Sequence, residues 1–252
     1  MVGLRGVALL SIVLVQYGSD RLSTRSDADQ PGICRIITIH DKPVTTYVLG
    51  SGDSLVIGWL NQHSKPHKSF KSFMGDDRAQ WRLVTNAGMF HSNHHPVGLY
   101  IQDDSTYVRL DTNSGKGNFY MKPNGVFGVG ADGPWIGTSE TYLAQSPQLH
   151  LATQSGPMLV INDSIHPRFN PQSPNKNTRS GVGVDDQNRV VFAIAYKDIT
   201  FYELATVFRD SLNCSNALYL DGAISKMYLH TSTCTDSFTG GNFGPMLGVM
   251  TK

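Results

Sequence analysis

Val190-Val191-Phe192-Ala193-Ile194-Ala195, then Thr200-Phe201-Tyr202-Glu203, then Ala217-Leu218-Tyr219-Leu220-Asp221-Gly222 are the pieces of one stretch, and its reading decides the fold. The first piece is a continuous apolar run of strand length, rich in β-branched side chains, as in a strand buried on both faces. Thr200 then opens a helix. Glu203 follows three residues later, so each side chain can bond the other residue's backbone N–H. Phe201, Leu204, Ala205, Phe208 and Leu212 recur at helical spacing and give this helix one apolar face. Asn213-Cys214-Ser215-Asn216 ends it, and Ala217–Leu220 is the next strand. A connection of about 20 residues is ample for a crossover. If the two strands are parallel, Asp221 stands at a carboxyl edge, where open α/β sheets place their ligands. A plainer reading competes with this one. Asp-Gly between two apolar runs, here ending at Met227-Tyr228-Leu229, is also the signal of a two-residue hairpin turn.

Outward from this unit the chain reads mostly as strands. Arg35–His40 and Val44–Leu49 alternate loosely, and Leu55–Trp59 and Trp81–Thr85 are further candidates. Val97–Gln102 pairs with Thr106–Leu110 across Asp103-Asp104, and Met158–Ile161 with Ser164–His166 across Asn162-Asp163. Phe119–Lys122 and Val126–Val129 read as a hairpin about Pro123-Asn124-Gly125. Residues 167–178, rich in proline and asparagine, read as an irregular loop. No linker divides the chain. The expectation is an α+β fold: a single sheet-rich domain over residues 33–252 with mixed sheets and a strand–helix–strand unit near the C-terminus.

Composition narrows the function. The chain has 252 residues, enough for one large core, and its net charge of +1 offers no global attraction to nucleic acid or an anionic membrane. Glu140 and Glu203 are the only glutamates, and Glu203 is committed to the helix start, so carboxylate chemistry would rest on aspartate. Arg5 precedes an apolar run from Val7 to Val15, which suits a signal segment over 1–18 and is too short to span a bilayer. An uncleaved anchor is the alternative, and 19–32 reads as a polar tether. The expected location is therefore exported, periplasmic or secreted, with no other integral membrane segment. Three cysteines, Cys34, Cys214 and Cys234, allow three single pairings in an oxidising compartment, or three buried thiols. A Cys214–Cys234 bridge would close a loop of about 20 residues and add roughly 3 kcal/mol.

Four places set a polar group and a glycine beside an apolar strand: Thr85-Asn86-Ala87-Gly88, Gln154-Ser155-Gly156-Pro157, Arg179-Ser180-Gly181-Val182-Gly183 and Leu220-Asp221-Gly222. Each alone is compatible with ordinary turn chemistry. Together they offer an amide, a hydroxyl, a guanidinium and a carboxylate, a set that suits a phosphate joined to a sugar.

Thr85-Asn86-Ala87-Gly88-Met89-Phe90, Ser155-Gly156-Pro157, Arg179 with Gly181-Val182-Gly183, and Leu220-Asp221-Gly222 with Ser225 occur in an order that resembles the phosphodiester glycosidase family, over roughly residues 35–250. Pro96–Tyr100, Lys122–Phe127 and Ala152–Pro157 resemble an exported bacterial branch of it. The resemblance implies cleavage between a sugar's anomeric carbon and a phosphodiester oxygen, releasing a sugar and a phosphate monoester. It implies Asp221, Arg179 and Asn86 as catalytic residues, and Gly88, Phe90, Ser155, Gly156, Gly222 and Ser225 as substrate-binding ones. Asp221 would be base or nucleophile, Arg179 would hold the phosphate, Asn86 and Ser155 would orient oxygens, and Ser225 would fix Asp221. The family's Asp-Gly-Gly-Gly-Ser-Ser is here Asp221-Gly222-Ala223-Ile224-Ser225-Lys226, so the pocket should be narrower or differently lined.

His91-Ser92-Asn93-His94-His95 offers a competing chemistry, a divalent-metal hydrolase, but it lacks the helical His-Glu-x-x-His order and Pro96 opposes a helix. No cofactor is expected otherwise. There is no phosphate-binding Gly-x-x-x-x-Gly-Lys loop and no Gly-x-Ser-x-Gly elbow. The expected partner is a carbohydrate or glycopolymer phosphodiester, with no nucleic acid. A non-catalytic carbohydrate-binding module is the other alternative, favoured by the Ala223-Ile224 change.

Overall fold

The computed structural model describes residues 32–222 and 224–252. The signal segment expected at 1–18 and the tether up to Pro31 lie outside the described residues. Strands are numbered in chain order. The largest sheet has seven, side by side as β1 (Ile33–Ile39), β2 (Lys42–Val48), β13 (Val190–Ile199), β12 (Asn177–Asp185), β14 (Cys214–Tyr219), β10 (Met158–Ile161) and β11 (Ser164–Ile165). A second sheet of five is ordered β16 (Thr235–Asp236), β15 (Met227–His230), β4 (Trp81–Asn86), β17 (Met246–Thr251) and β3 (Asp53–Gly58). A third sheet of five is ordered β6 (Ser105–Val108), β5 (Tyr100–Gln102), β9 (Leu149–Ser155), β7 (Gly125–Gly130) and β8 (Gly133–Thr138). Two short helices, α1 (Phe70–Met74) and α2 (Ser139–Gln145), flank the second and third sheets.

The strand–helix–strand unit forms as the sequence implies. β13 leads into α3 (Phe201–Thr206), which continues through a π-helical turn at Val207–Ser211 before β14. The start of α3 carries the reciprocal cap: Glu203 N donates to Thr200 Oγ1 at 3.0 Å and Thr200 N to Glu203 Oε2 at 2.7 Å. Bonded neighbours run antiparallel among the described strands. β13 and β14 both pair with β12, so they point the same way with one strand between them.

Period-two alternation divides β13 between two cores. Val190, Phe192 and Ile194 face the central cluster, where residues of all three sheets meet, among them Leu83, Phe127 and Leu247. Val191, Ala193 and Ala195 face α3. Gly181 and Gly183 on β12 leave room for the Phe208 ring, since a Cβ at either would lie within 3 Å of that ring. Burying a phenylalanine fully contributes roughly 1.5–3 kcal/mol.

One local expectation changes, and two readings left open by the sequence are resolved. The hairpin about Pro123-Asn124-Gly125 does not form: residues Asn118–Tyr120 make a 3-10 turn, and β7 pairs with β8 and β9 instead. The reason is Asn124, wholly buried, whose amide donates to Phe119 O at 3.0 Å and accepts from Ser139 Oγ at 2.8 Å, tying this loop to α2. Asp221-Gly222 is not a hairpin turn either. β14 and β15 lie in different sheets, so residues 220–226 cross from one to the other. Finally, the disulfide joins Cys34 to Cys234, and Cys214 is a buried free thiol. Cys214 opens β14 on the helix side of the sheet, close beneath Gly183 and the Phe208 ring, whereas Cys34 turns to the central cluster where Cys234 packs. The bond spans 200 residues and ties the seven-stranded sheet to the second sheet. On the chain-entropy account a loop of that length contributes about 5 kcal/mol. No helix among the described residues is long and apolar enough to cross a membrane.

Candidate active site

The crossing segment 220–226 is where the four polar strand ends converge. Its first residue, Leu220, donates its N–H to Ser180 O at 3.1 Å, and Asp221 donates to Ala87 O at 3.4 Å. Tyr219, just before it, donates to Pro157 O at 3.1 Å. Gly88 N donates to Thr153 Oγ1 at 3.1 Å, which links the Asn86 segment to β9 as well. So backbone from β4, β9, β12 and β14 meets at one sheet corner, and Asp221 is at its centre.

Asn86 spends both ends of its amide on this segment. Nδ2 donates to the Asp221 carbonyl at 2.8 Å and Oδ1 accepts from Lys226 N at 3.3 Å. Ser225 Oγ donates to the same Asp221 carbonyl and lies 2.6 Å from Ser180 Oγ. Both side chains therefore hold the Asp221 backbone rather than its carboxylate. The carboxylate itself is half-buried, and no donor among the described residues bonds it. Burial alone pushes its pKa up, to about 6.

Arg179 lies on the helix side of β12, 1% exposed. Its Nε donates to Ile199 O at 2.8 Å, one terminal nitrogen to Asn175 O and Oδ1 at 3.1 Å each, and the other to the Tyr219 hydroxyl at 3.5 Å. The guanidinium also stacks 3.7 Å above the Phe201 ring. No carboxylate lies within ion-pair distance among the described residues. Burial pulls its pKa down; Tyr219, and Asp198 and Glu203 through space, oppose this. A buried cation with hydrogen bonds but no ion-pair partner keeps an uncompensated positive charge, which favours an anion nearby.

Tyr219 bridges these two groups, and sequence reasoning overlooked it. Its hydroxyl accepts from Arg179 and lies so close to Gly222 that a Cβ there would fall inside the oxygen. Burial raises its pKa, Arg179 opposes this and the Asp221 charge adds to it, leaving it at about 12. The available signal was proximity: Tyr219 is the last residue of β14, two before Asp221.

The remaining candidates are placed as follows. Ser155 is fully buried and its hydroxyl has no partner. Gly88 and Gly156 press against neighbouring backbone: a Cβ would run into the Gln154 carbonyl at the first, and lie 2.7 Å from Phe119 O at the second. Phe90 is half-buried, with its ring 5.8 Å from that of His94, and Gly244 is packed on its side chain. His91, His94 and His95 form a turn closed by the Phe90–Pro96 bridge, and no group of three or more His, Cys, Asp or Glu side chains among the described residues is arranged to hold a metal ion. Ile224, in place of a family glycine, is 41% exposed.

A cavity of about 670 Å³ lies elsewhere, between Gly32, Leu49, Asp53 and Arg189. It contains none of the four polar motifs, so size does not locate the chemistry. A smaller cleft of about 130 Å³ borders Phe201 and Asn175, two of the residues that hold Arg179.

The phosphodiester glycosidase family profile matches residues 80–249. YigE of Escherichia coli (strain K12) is 33% identical over 173 residues, 68% of this chain and 68% of its own. Among solved structures, the catalytic domain of zebrafish N-acetylglucosamine-1-phosphodiester alpha-N-acetylglucosaminidase, auto-inhibited by its pro-peptide, superposes with a TM-score of 0.57 at 14% identity, covering 91% of this chain and 85% of that one. A Synechocystis protein superposes with a TM-score of 0.56 at 14% identity, covering 88% and 62%. At such identities the two structures establish a shared fold.

Proposed function

We propose that this chain, which belongs to the phosphodiester glycosidase family, is an exported hydrolase that cleaves the bond between a sugar's anomeric carbon and a phosphodiester oxygen. One observation carries the reading: a half-buried aspartate with no donor on its carboxylate, pKa near 6, fixed by its backbone where four segments meet and linked through Tyr219 to a buried guanidinium.

Asp221 takes one proton from water as the water oxygen attacks the anomeric carbon. The carbon–oxygen bond to phosphorus breaks, and its electron pair leaves with the phosphate monoester. The sugar keeps the remaining water proton as part of its new hydroxyl. A phosphate monoester is a weakly basic leaving group, so charge stabilisation serves it better than a strong acid. This removes the need for the two carboxyl groups of ordinary glycosidases. Arg179, and Tyr219 which it polarises, supply that positive field. Asn86 and Ser225 position the Asp221 backbone. The unpartnered Ser155 hydroxyl is available to a substrate oxygen. The Cys34–Cys234 disulfide, stable in an oxidising compartment, supports export.

The test is turnover of a chromogenic sugar–phosphate diester, with the released sugar followed by NMR. Product with inverted anomeric configuration matches water activated by Asp221, and retention would make the carboxylate the nucleophile. Saturable sugar binding without any product would reduce the chain to a binding module.

A further inference from the structure

The cleft beside Arg179 belongs to the segment 167–178, which no expected site residue occupies. Its floor is aromatic. The Phe169 ring stacks on Phe201 at 5.1 Å and 9°. Arg168, Asn170, Ser173 and Asn175 supply the polar part of its walls, beside Met121 and Tyr202. The Arg168 side chain is exposed and has no carboxylate partner within ion-pair distance among the described residues, and no acid lines the cleft. A volume of about 130 Å³ is that of roughly four waters, enough for a phosphate group.

The cleft is also joined to the Asp221 segment. One terminal nitrogen of Arg179 bonds Asn175 on the cleft rim, and the other bonds the Tyr219 hydroxyl, which Gly222 packs against. The Phe201 ring forms the floor on one side and meets Tyr219 edge-on at 4.7 Å on the other. The cleft and the Asp221 segment are thus joined through two hydrogen bonds and one buried guanidinium.

We infer that this cleft is the seat of a phosphate monoester group, gripped by Arg168 with Asn170, Ser173 and Asn175, and that it receives the leaving half of the diester. The second part rests on the function proposed above. Arg168 would offer its planar fork to two phosphate oxygens from the solvent side, with the amides and hydroxyl completing the shell. Buried Arg179 would act from behind through its charge. Specificity for the leaving group would then come from a loop, while the sugar is read at the sheet corner.

The experiment titrates the full chain with inorganic phosphate by calorimetry, for the native protein, Arg168→Ala and Arg168→Lys. Saturable binding by the native protein is expected, weakened about tenfold by Arg168→Ala and less by Arg168→Lys. Thermal unfolding without phosphate should be the same for all three, because Arg168 is exposed. Undiminished binding by Arg168→Ala, or no saturable binding by the native chain, overturns the assignment. Diester kinetics separate the two proposals. Arg168-dependent phosphate binding without turnover of any sugar diester keeps the seat and removes the glycosidase reading. Turnover with a KM that Arg168→Ala does not raise keeps the glycosidase and removes the seat.

Discussion

Replacing Asp221 by asparagine should make the protein more stable and inactive. Burial raises this carboxyl from 3.8 to about 6 without any compensating donor. That is roughly two pKa units, or about 3 kcal/mol at 1.36 kcal/mol per unit. The sign follows from proton counting. Between about pH 4 and pH 6 the folded chain keeps a proton that the unfolded chain has released, so stability falls as pH rises through that window and stays low above it. Asparagine has no charge to desolvate. The variant should match the native protein near pH 4 and exceed it by about 3 kcal/mol at pH 8. For a chain of this size that is about 6–12 °C in melting temperature. Urea unfolding at the two pH values measures the difference directly. Turnover should fall by about 10²–10⁴, as for loss of a general base, and native kcat/KM should decline below about pH 6. An asparagine variant equal to or weaker than the native protein at pH 8 would mean that the carboxylate is satisfied in the fold, and the case for Asp221 would fail.

Three further outcomes can be checked together. Tyr219→Phe should lower kcat about tenfold, since the hydroxyl that Arg179 polarises is lost, while the low-pH limb set by the burial of Asp221 stays in place; an unchanged kcat would make Tyr219 packing alone. Cys34→Ala should cost about 5 kcal/mol in urea unfolding, and reductant should bring the native protein down to the same value, while Cys214, buried with its thiol near pKa 12, resists alkylation until the chain unfolds. Burial pulls the Glu203 carboxyl up, but Thr200 N–H, His40 and Lys42 outweigh it and hold it down to about 2. Its contribution, about 3 kcal/mol, is present above pH 4.5 and lost as pH falls toward 2. Glu203→Gln should therefore be the weaker protein at pH 7, with the gap closing in acid unfolding.

Local chemistry proved readable where one residue decides it. Thr200 and Glu203 announced the start of α3, and Asp103-Asp104 and Asn162-Asp163 announced hairpins, all four with positive φ. The apolar runs at Val190–Ala195 and Ala217–Leu220 gave the core strands. Readings failed where a distant partner decides. Asn124 looks like a turn residue until α2 supplies Ser139. Cys34 and Cys234 lie at opposite ends of the chain, and only the meeting of two sheets brings them together. The Asn86 amide looked free for substrate, yet its register opposite Met246 in the second sheet aims it at the Asp221 backbone. Tyr219 was hidden in an apolar run, where a tyrosine reads as core until a buried arginine is found against its hydroxyl.

The span of the disulfide also sets an order of events. A chain emerging at 5–20 residues per second delivers Cys234 about 10–40 s after Cys34. Cys214 arrives first, about 1–4 s ahead of the correct partner, and a premature bond to it would strand both the β14 edge and the loop that carries the acid. In the folded chain Gly183 and the Phe208 ring cover Cys214 on the helix side of the sheet, away from the Cys34–Cys234 bond on the central side.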